Sequence, residues 1–232
     1  FPISQDISLP SVALYVDRNN EKWNAGTGFS IKEGGYFLTA YHVIKDSKRV
    51  RIVTDDNVEH DATIVATDEN LDLAIIKVND VSLSPLIITE KEIQKIGLKV
   101  AFVGYPLGKP IKFTHEGIIS SIASVGNFPV YAINAFVNQG NSGGPVFLSE
   151  SKEVIGIISM RDPLFKAPPP VTIVHPDELD EQGKKLLNNE IFMYQNTAIA
   201  IFDNAQAGIG IAIRLNKNQI DKLLANPIQS NP

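Results

Sequence analysis

Cysteine is absent from the 232 residues, so no disulfide framework organises this chain and thiol usage says nothing about its redox compartment. A basic excess is missing as well. Lys and Arg total 21 against 26 Asp and Glu, for a net charge of −5, and no basic run interrupts the sequence. That balance makes nucleic acid and anionic membrane surfaces poor guesses for a partner, and neither is expected. No stretch approaches the roughly 18 continuous apolar residues of a membrane span. Histidine is scarce at four residues, no two of them stand at metal-ligand spacing, and neither a metal nor another cofactor is expected. An initiating Met is lacking too: the chain starts at Phe1, which implies a removed leader or a trimmed chain. What is present is ordinary. Apolar residues make up 44% and charged residues 20%, enough for one large domain or two small ones with a sizeable core.

Short β-like runs recur between turn residues. The first group is 13–16, 26–31, 36–40, 49–54, 61–67 and 71–78; the second is 99–105, 117–125, 130–137, 144–148, 153–160, 198–202 and 208–213. The segment 81–97 breaks the rhythm between them. Many β-branched runs punctuated by Gly, Asn and Asp predict an all-β fold, and the break predicts two similar six-stranded barrels without a sequence repeat. The expected division is 1–88 and 89–232. Residues 175–190 place acids before lysines, as suits a helix dipole, inside an insertion over about 162–197 that opens with prolines. A closing helix is expected over 216–225, with Asn216 as cap, Ile220, Leu223 and Leu224 on one face, and Asn226-Pro227 as its stop. It is expected to pack on the second barrel.

One loop needs a chemical reading. Gly140-Asn141-Ser142-Gly143-Gly144-Pro145 sets a serine on bare backbone and runs straight into the apolar strand PVFL. A phosphate cradle requires a helix after the loop and usually a Lys, and both are missing here. A hairpin turn and an exposed nucleophile both remain open on the loop alone. A serine nucleophile needs a base. His42 lies where the run 36–40 ends and a short helical turn begins. His60 stands between Glu59 and Asp61, as on a solvated strand edge, and His115 and His175 sit in polar stretches read as surface. The base in turn needs an orienting acid. Asp72 opens the apolar run Leu73-Ala74-Ile75-Ile76, where a carboxylate is costly unless paired or hydrogen-bonded. Each residue has a plain structural explanation alone; together the explanations require three coincidences.

The sequence resembles the trypsin-like serine peptidases with the chymotrypsin fold, and within them the HtrA-like bacterial branch. Gly26-Thr27-Gly28-Phe29 with Leu38-Thr39-Ala40-Tyr41-His42-Val43 is similar to the family's histidine segment. Leu71-Asp72-Leu73-Ala74 is similar to its aspartate segment, and the Ser142 loop to its serine segment. The order His, Asp, Ser and the separations of 30 and 70 residues also match. Val103 to Gly108 and Gly208 to Ile213 extend the likeness over nearly the whole chain apart from the insertion.

The resemblance implies two perpendicular antiparallel barrels, with His42 and Asp72 on the first and Ser142 on the second, facing a cleft. It implies a serine endopeptidase: Ser142 attacks, His42 transfers the proton, Asp72 holds the imidazole tautomer, and the N–H groups of Gly140 and Ser142 form the oxyanion hole. One such donor is worth roughly 10²–10³ in rate. The alternative on the same fold is a catalytically silent peptide-binding or chaperone-like module. Asn141 departs from the digestive members, whose Asp at this position pairs with a new N-terminus, so activation by that ion pair is not expected. The position six residues before the serine, acidic in trypsin, is Phe136 followed by Val137, and Ser159, Met160 and Arg161 align with the pocket-wall strand. An apolar pocket preferring a medium aliphatic residue before the cleaved bond is expected, with Arg161 read as a solvated strand end. By resemblance Ser159 is also a candidate hydrogen-bond donor to Asp72. The insertion is either a lid or a surface loop. HtrA-like proteins usually continue into PDZ modules, so a chain stopping at Pro232 is either a single-domain relative or a trimmed one. The resemblance further implies polypeptide substrates, an extracytoplasmic location and a trimer.

Overall fold

The computed structural model describes residues 10–18, 21–106, 111–125, 128–159 and 209–228. The expected insertion at 162–197, its helix, the run 198–202, and Met160 and Arg161 lie outside these residues.

Two closed six-stranded antiparallel barrels form the fold. The first contains β1 (Ser11–Arg18), β2 (Glu21–Lys32), β3 (Tyr36–Ala40), β4 (Arg49–Val53), β5 (Glu59–Asp68) and β6 (Leu73–Lys77), with the single-turn helix α1 (Tyr41–Ile44) after β3. The second contains β7 (Lys99–Gly104), β8 (Phe113–Val125), β9 (Phe128–Asn134), β10 (Pro145–Leu148), β11 (Val154–Ile158) and β12 (Ile209–Arg214). Taken in chain order, the barrels share one topology: the first runs 1-2-3-6-5-4 and the second 7-8-9-12-11-10. The pairings β1·β4 and β7·β10 close them.

Several strands are apolar on both faces because both faces are buried. In β3 and β6, Phe37, Ala74 and Ile76 fill the interior of the first barrel. Their neighbours Leu38, Leu73 and Ile75 turn the other way, into a cluster shared with Phe147, Val154 and Ile157 of the second. β7 does the same from the other side: Val100 and Phe102 face its own barrel, Ala101 and Val103 the shared cluster. At roughly 1.5–3 kcal/mol per fully buried large apolar side chain, this shared layer fixes how the barrels dock.

The segment between the barrels is irregular, as its broken rhythm predicts, and is anchored by a parallel bridge from Ile88 to Val154. The closing helix α2 (Lys217–Ala225) begins at a capping box formed by Asn216 and Gln219. Its location corrects the expectation. The helix lies against β5 of the first barrel, and Ile220, Leu223 and Leu224 join the shared cluster rather than covering the second barrel alone. The Ile228 N–H donates to the Val65 carbonyl at 2.6 Å just beyond it. The apolar stripe fixes which face is buried, and that face meets the cluster that both barrels share.

Candidate active site

Strand pairing brings the first two candidate residues together. β3 and β6 run antiparallel with Ala40 opposite Leu73. His42, two residues past Ala40, and Asp72, just before Leu73, therefore emerge at the same end of the pair. Asp72 sits in the left-handed region at φ 53°, a conformation that Asp tolerates better than most residues.

The Asp72 carboxylate is fully buried and receives three hydrogen bonds. The His42 backbone N–H donates to Oδ1 at 2.8 Å, and His42 Nδ1 lies 2.7 Å from Oδ2. The Ser159 hydroxyl donates to Oδ2 at 2.9 Å. Ser159 follows β11 on the second barrel, so both barrels hold this one carboxylate. Charge-assisted hydrogen bonds of this kind offset the desolvation of a buried carboxylate. The Asp72 main chain contributes too, its carbonyl accepting from the Tyr41 N–H at 2.9 Å. The His42 side chain remains 27% exposed, so the ring is anchored on the Asp72 edge and still reaches solvent.

The serine loop docks against the same end of the first barrel. The Ser142 carbonyl accepts from the Thr27 N–H at 2.8 Å. A Cβ built on Gly26 would stand 2.6 Å from that carbonyl oxygen and 2.9 Å from Val43 Cγ2, so Ser142 and the residue after His42 meet at one point. Within the loop, the Asn141 N–H donates to the Asn138 carbonyl and the Gly144 N–H to the Asn141 carbonyl, closing two tight turns. Glycine is required at two positions. Gly143 has φ +88°, and a Cβ there would lie 2.0 Å from the Thr27 carbonyl oxygen. Gly140 has φ +98°, and a Cβ there would lie 2.4 Å from the Tyr105 carbonyl oxygen. The Gly143 N–H and the Ile158 N–H complete the anchorage with bonds to the Ile158 and Gly144 carbonyls, both 2.8 Å.

Asn141 is fully buried, and neither polar atom of its carboxamide has a hydrogen-bond partner among the described residues. Of the residues expected in a substrate pocket, Phe136 is 60% exposed and Val137 is half-buried against Gly210 of β12. Ser159 is buried with its hydroxyl on the Asp72 carboxylate.

The other described histidines stand apart from this site. His60 is not merely a solvated edge: its Nδ1 lies 2.8 Å from Asp80 Oδ2. His115 is half-buried rather than freely exposed. Its ring stacks on Phe102 with centroids 4.6 Å apart, its buried Nε2 has no hydrogen-bond partner among the described residues, and burial lowers its proton affinity. Its neighbours Thr114 and Glu116 are exposed because they point to the opposite face of β8.

Sequence reasoning missed the polar contacts that seat the serine loop. Thr27, Thr39 and Tyr105 all bond to or beside it, and the only local signal was a threonine enclosed by glycines, Gly26-Thr27-Gly28.

Comparison with known proteins gives concordant findings. Residues 26–157 match the family model described as trypsin-like peptidase domain. A probable periplasmic serine endoprotease, DegP-like, of Halomonas elongata is 36% identical over 145 residues, which cover 61% of this chain and 30% of that protein. The protein of the same description from Rhizobium meliloti is 38% identical over 137 residues, covering 57% of this chain and 27% of its own length. This chain thus spans about three tenths of the length of the curated relatives it matches. Among solved structures, the serine endoprotease from Yersinia pestis superposes with a TM-score of 0.63 at 22% identity, covering 94% of this chain and 63% of that one. At that identity the likeness concerns the fold.

Proposed function

The chain belongs to the trypsin-like peptidase family, and from that premise we propose that it is a serine endopeptidase with Ser142 as nucleophile, His42 as general base and Asp72 as orienting acid. The observation that carries this reading is the buried Asp72 carboxylate holding His42 Nδ1 at 2.7 Å, at the strand end where the Ser142 loop is seated.

In this reading, the His42 Nδ1–H donates to Asp72, which leaves Nε2 as the acceptor. His42 takes the Ser142 proton as Oγ attacks the peptide carbonyl. The tetrahedral oxyanion is met by the N–H groups of Gly140 and Ser142. The imidazolium, stabilised by Asp72, returns its proton to the leaving amine, and water then releases the acyl group by the same steps. The substrates are polypeptides. Phe136 and Val137 give the cleft an apolar wall, which favours a medium aliphatic side chain before the cleaved bond. Because the relatives are named periplasmic, we place the protein outside the cytoplasm; a trimer rests on the family resemblance alone.

The test is labelling with a fluorophosphonate probe. Wild type labels and Ser142→Ala does not. Absence of labelling in well-folded wild type would replace the enzyme by a peptide-binding module on the same fold.

A further inference from the structure

Thr27 lies in β2 of the first barrel, yet its polar atoms serve the serine loop of the second. It is fully buried. Its N–H donates to the Ser142 carbonyl at 2.8 Å, and its hydroxyl donates to the Gly140 carbonyl at 2.7 Å. That hydroxyl also accepts from the Tyr105 N–H at 3.1 Å, and the Thr27 carbonyl accepts from the Thr39 hydroxyl at 2.8 Å. Packing alone does not call for a hydroxyl here, since valine has the same shape and suits a buried strand as well.

The pattern of these bonds is specific. The two carbonyls that Thr27 holds flank Asn141, one at Gly140 and one at Ser142. Anchoring them fixes the peptide planes on either side of the plane that carries the Ser142 N–H. The Gly140 N–H lies across a single Cα from the first anchored carbonyl. Gly140 at φ +98° has no Cβ to limit rotation of its peptides, so the restraint must come from outside the residue. We infer that Thr27 is a positioning residue: it clamps the carbonyls of Gly140 and Ser142 to the first barrel and thereby holds the loop's two N–H groups in donor geometry toward the oxyanion. This rests on the endopeptidase reading for what the N–H groups do, but not for the clamp itself.

Two variants separate the hydroxyl from the shape. Thr27→Val keeps the shape and leaves the Gly140 carbonyl and Tyr105 N–H unpaired. Thr27→Ser keeps the hydroxyl and loses a methyl. Both are compared with wild type on fluorescein-labelled unfolded casein, and by hydrogen exchange of peptides spanning residues 138–144. Thr27→Val should lower kcat roughly ten- to hundredfold with KM within about threefold, because a misaligned donor costs less than a deleted one. Thr27→Ser should stay within about threefold of wild type, and only the valine variant should exchange faster in 138–144. The inference is overturned if Thr27→Val retains kcat within about threefold, if Thr27→Ser falls as far as Thr27→Val, or if the loss appears in KM alone. Should wild type neither turn over nor label, the endopeptidase reading fails separately. Exchange then decides the clamp: faster loop exchange in Thr27→Val but not Thr27→Ser upholds it, and equal exchange in all three removes it.

Discussion

Replacing Asp72 by asparagine tests the site at its most constrained atom. The carboxylate receives the His42 N–H on Oδ1 and both His42 Nδ1 and the Ser159 hydroxyl on Oδ2. Asparagine offers one acceptor oxygen and one NH₂ in the same shape. With its oxygen toward the His42 main chain, the NH₂ faces Nδ1, which must then accept. The ring proton moves to Nε2, and the imidazole loses the lone pair that the proposed mechanism uses for the Ser142 proton. Turned over, the amide sets donor against donor at the buried main-chain N–H, which costs roughly 1–3 kcal/mol. The first orientation therefore prevails, and the Ser159 hydroxyl rotates to accept. The expected loss in kcat/KM is about 10⁴, or about 5.5 kcal/mol of transition-state stabilisation, the scale seen for this change in triads of this type. Stability should move by less than about 2 kcal/mol, since a buried charge is replaced by a neutral isostere. Cleavage of unfolded casein beside a urea melt measures both. A folded Asp72→Asn that retains activity within about tenfold of wild type would refute the orienting role of this contact.

Ser159→Ala removes one charge-assisted bond from the same oxygen and should cost about 1.5–3 kcal/mol in a urea melt, with a smaller loss of kcat/KM than Asp72→Asn; an unchanged melt would remove Ser159 from the site. Gly143→Ala places a methyl 2.0 Å from the Thr27 carbonyl oxygen at φ +88°, so it should lose more than about 3 kcal/mol and abolish probe labelling; a folded, labelling variant contradicts the loop geometry. Burial lowers the His115 proton affinity from its ordinary value of 6.5, whereas the unfolded chain regains that value. Below about pH 6.5 the unfolded state therefore binds more protons, and stability falls as pH drops toward the folded value. His115→Phe should flatten that dependence in melting temperatures taken between about pH 7.5 and about pH 5, and an unaltered slope would show that His115 is not its source.

The barrels were legible because alternation and turn residues mark strands, and because two-sided burial writes continuous apolar runs such as Leu73-Ala74-Ile75-Ile76. His42 and Asp72 were legible as candidates because each stands at the end of such a run, and pairing of β3 with β6 turns two run ends into neighbours. His115 was misread because Thr114 and Glu116 are adjacent in sequence but on the opposite face of the strand. The stripe on α2 predicted a buried face but carried no address, and the helix went to β5. Thr27 lies 113 residues from the carbonyl its hydroxyl holds, a distance across which no local pattern survives.

Oδ2 of Asp72 takes one hydrogen from each barrel, and that has a consequence for a population of such molecules. A polypeptide hydrolase is surrounded by copies of itself, and a partly melted copy is food for the intact ones. On the endopeptidase reading the acid is fully held only while the two barrels stay docked, so a copy whose barrels part loses the Ser159 bond to Asp72. A copy damaged in that way is expected to be a substrate of such an enzyme rather than an active one.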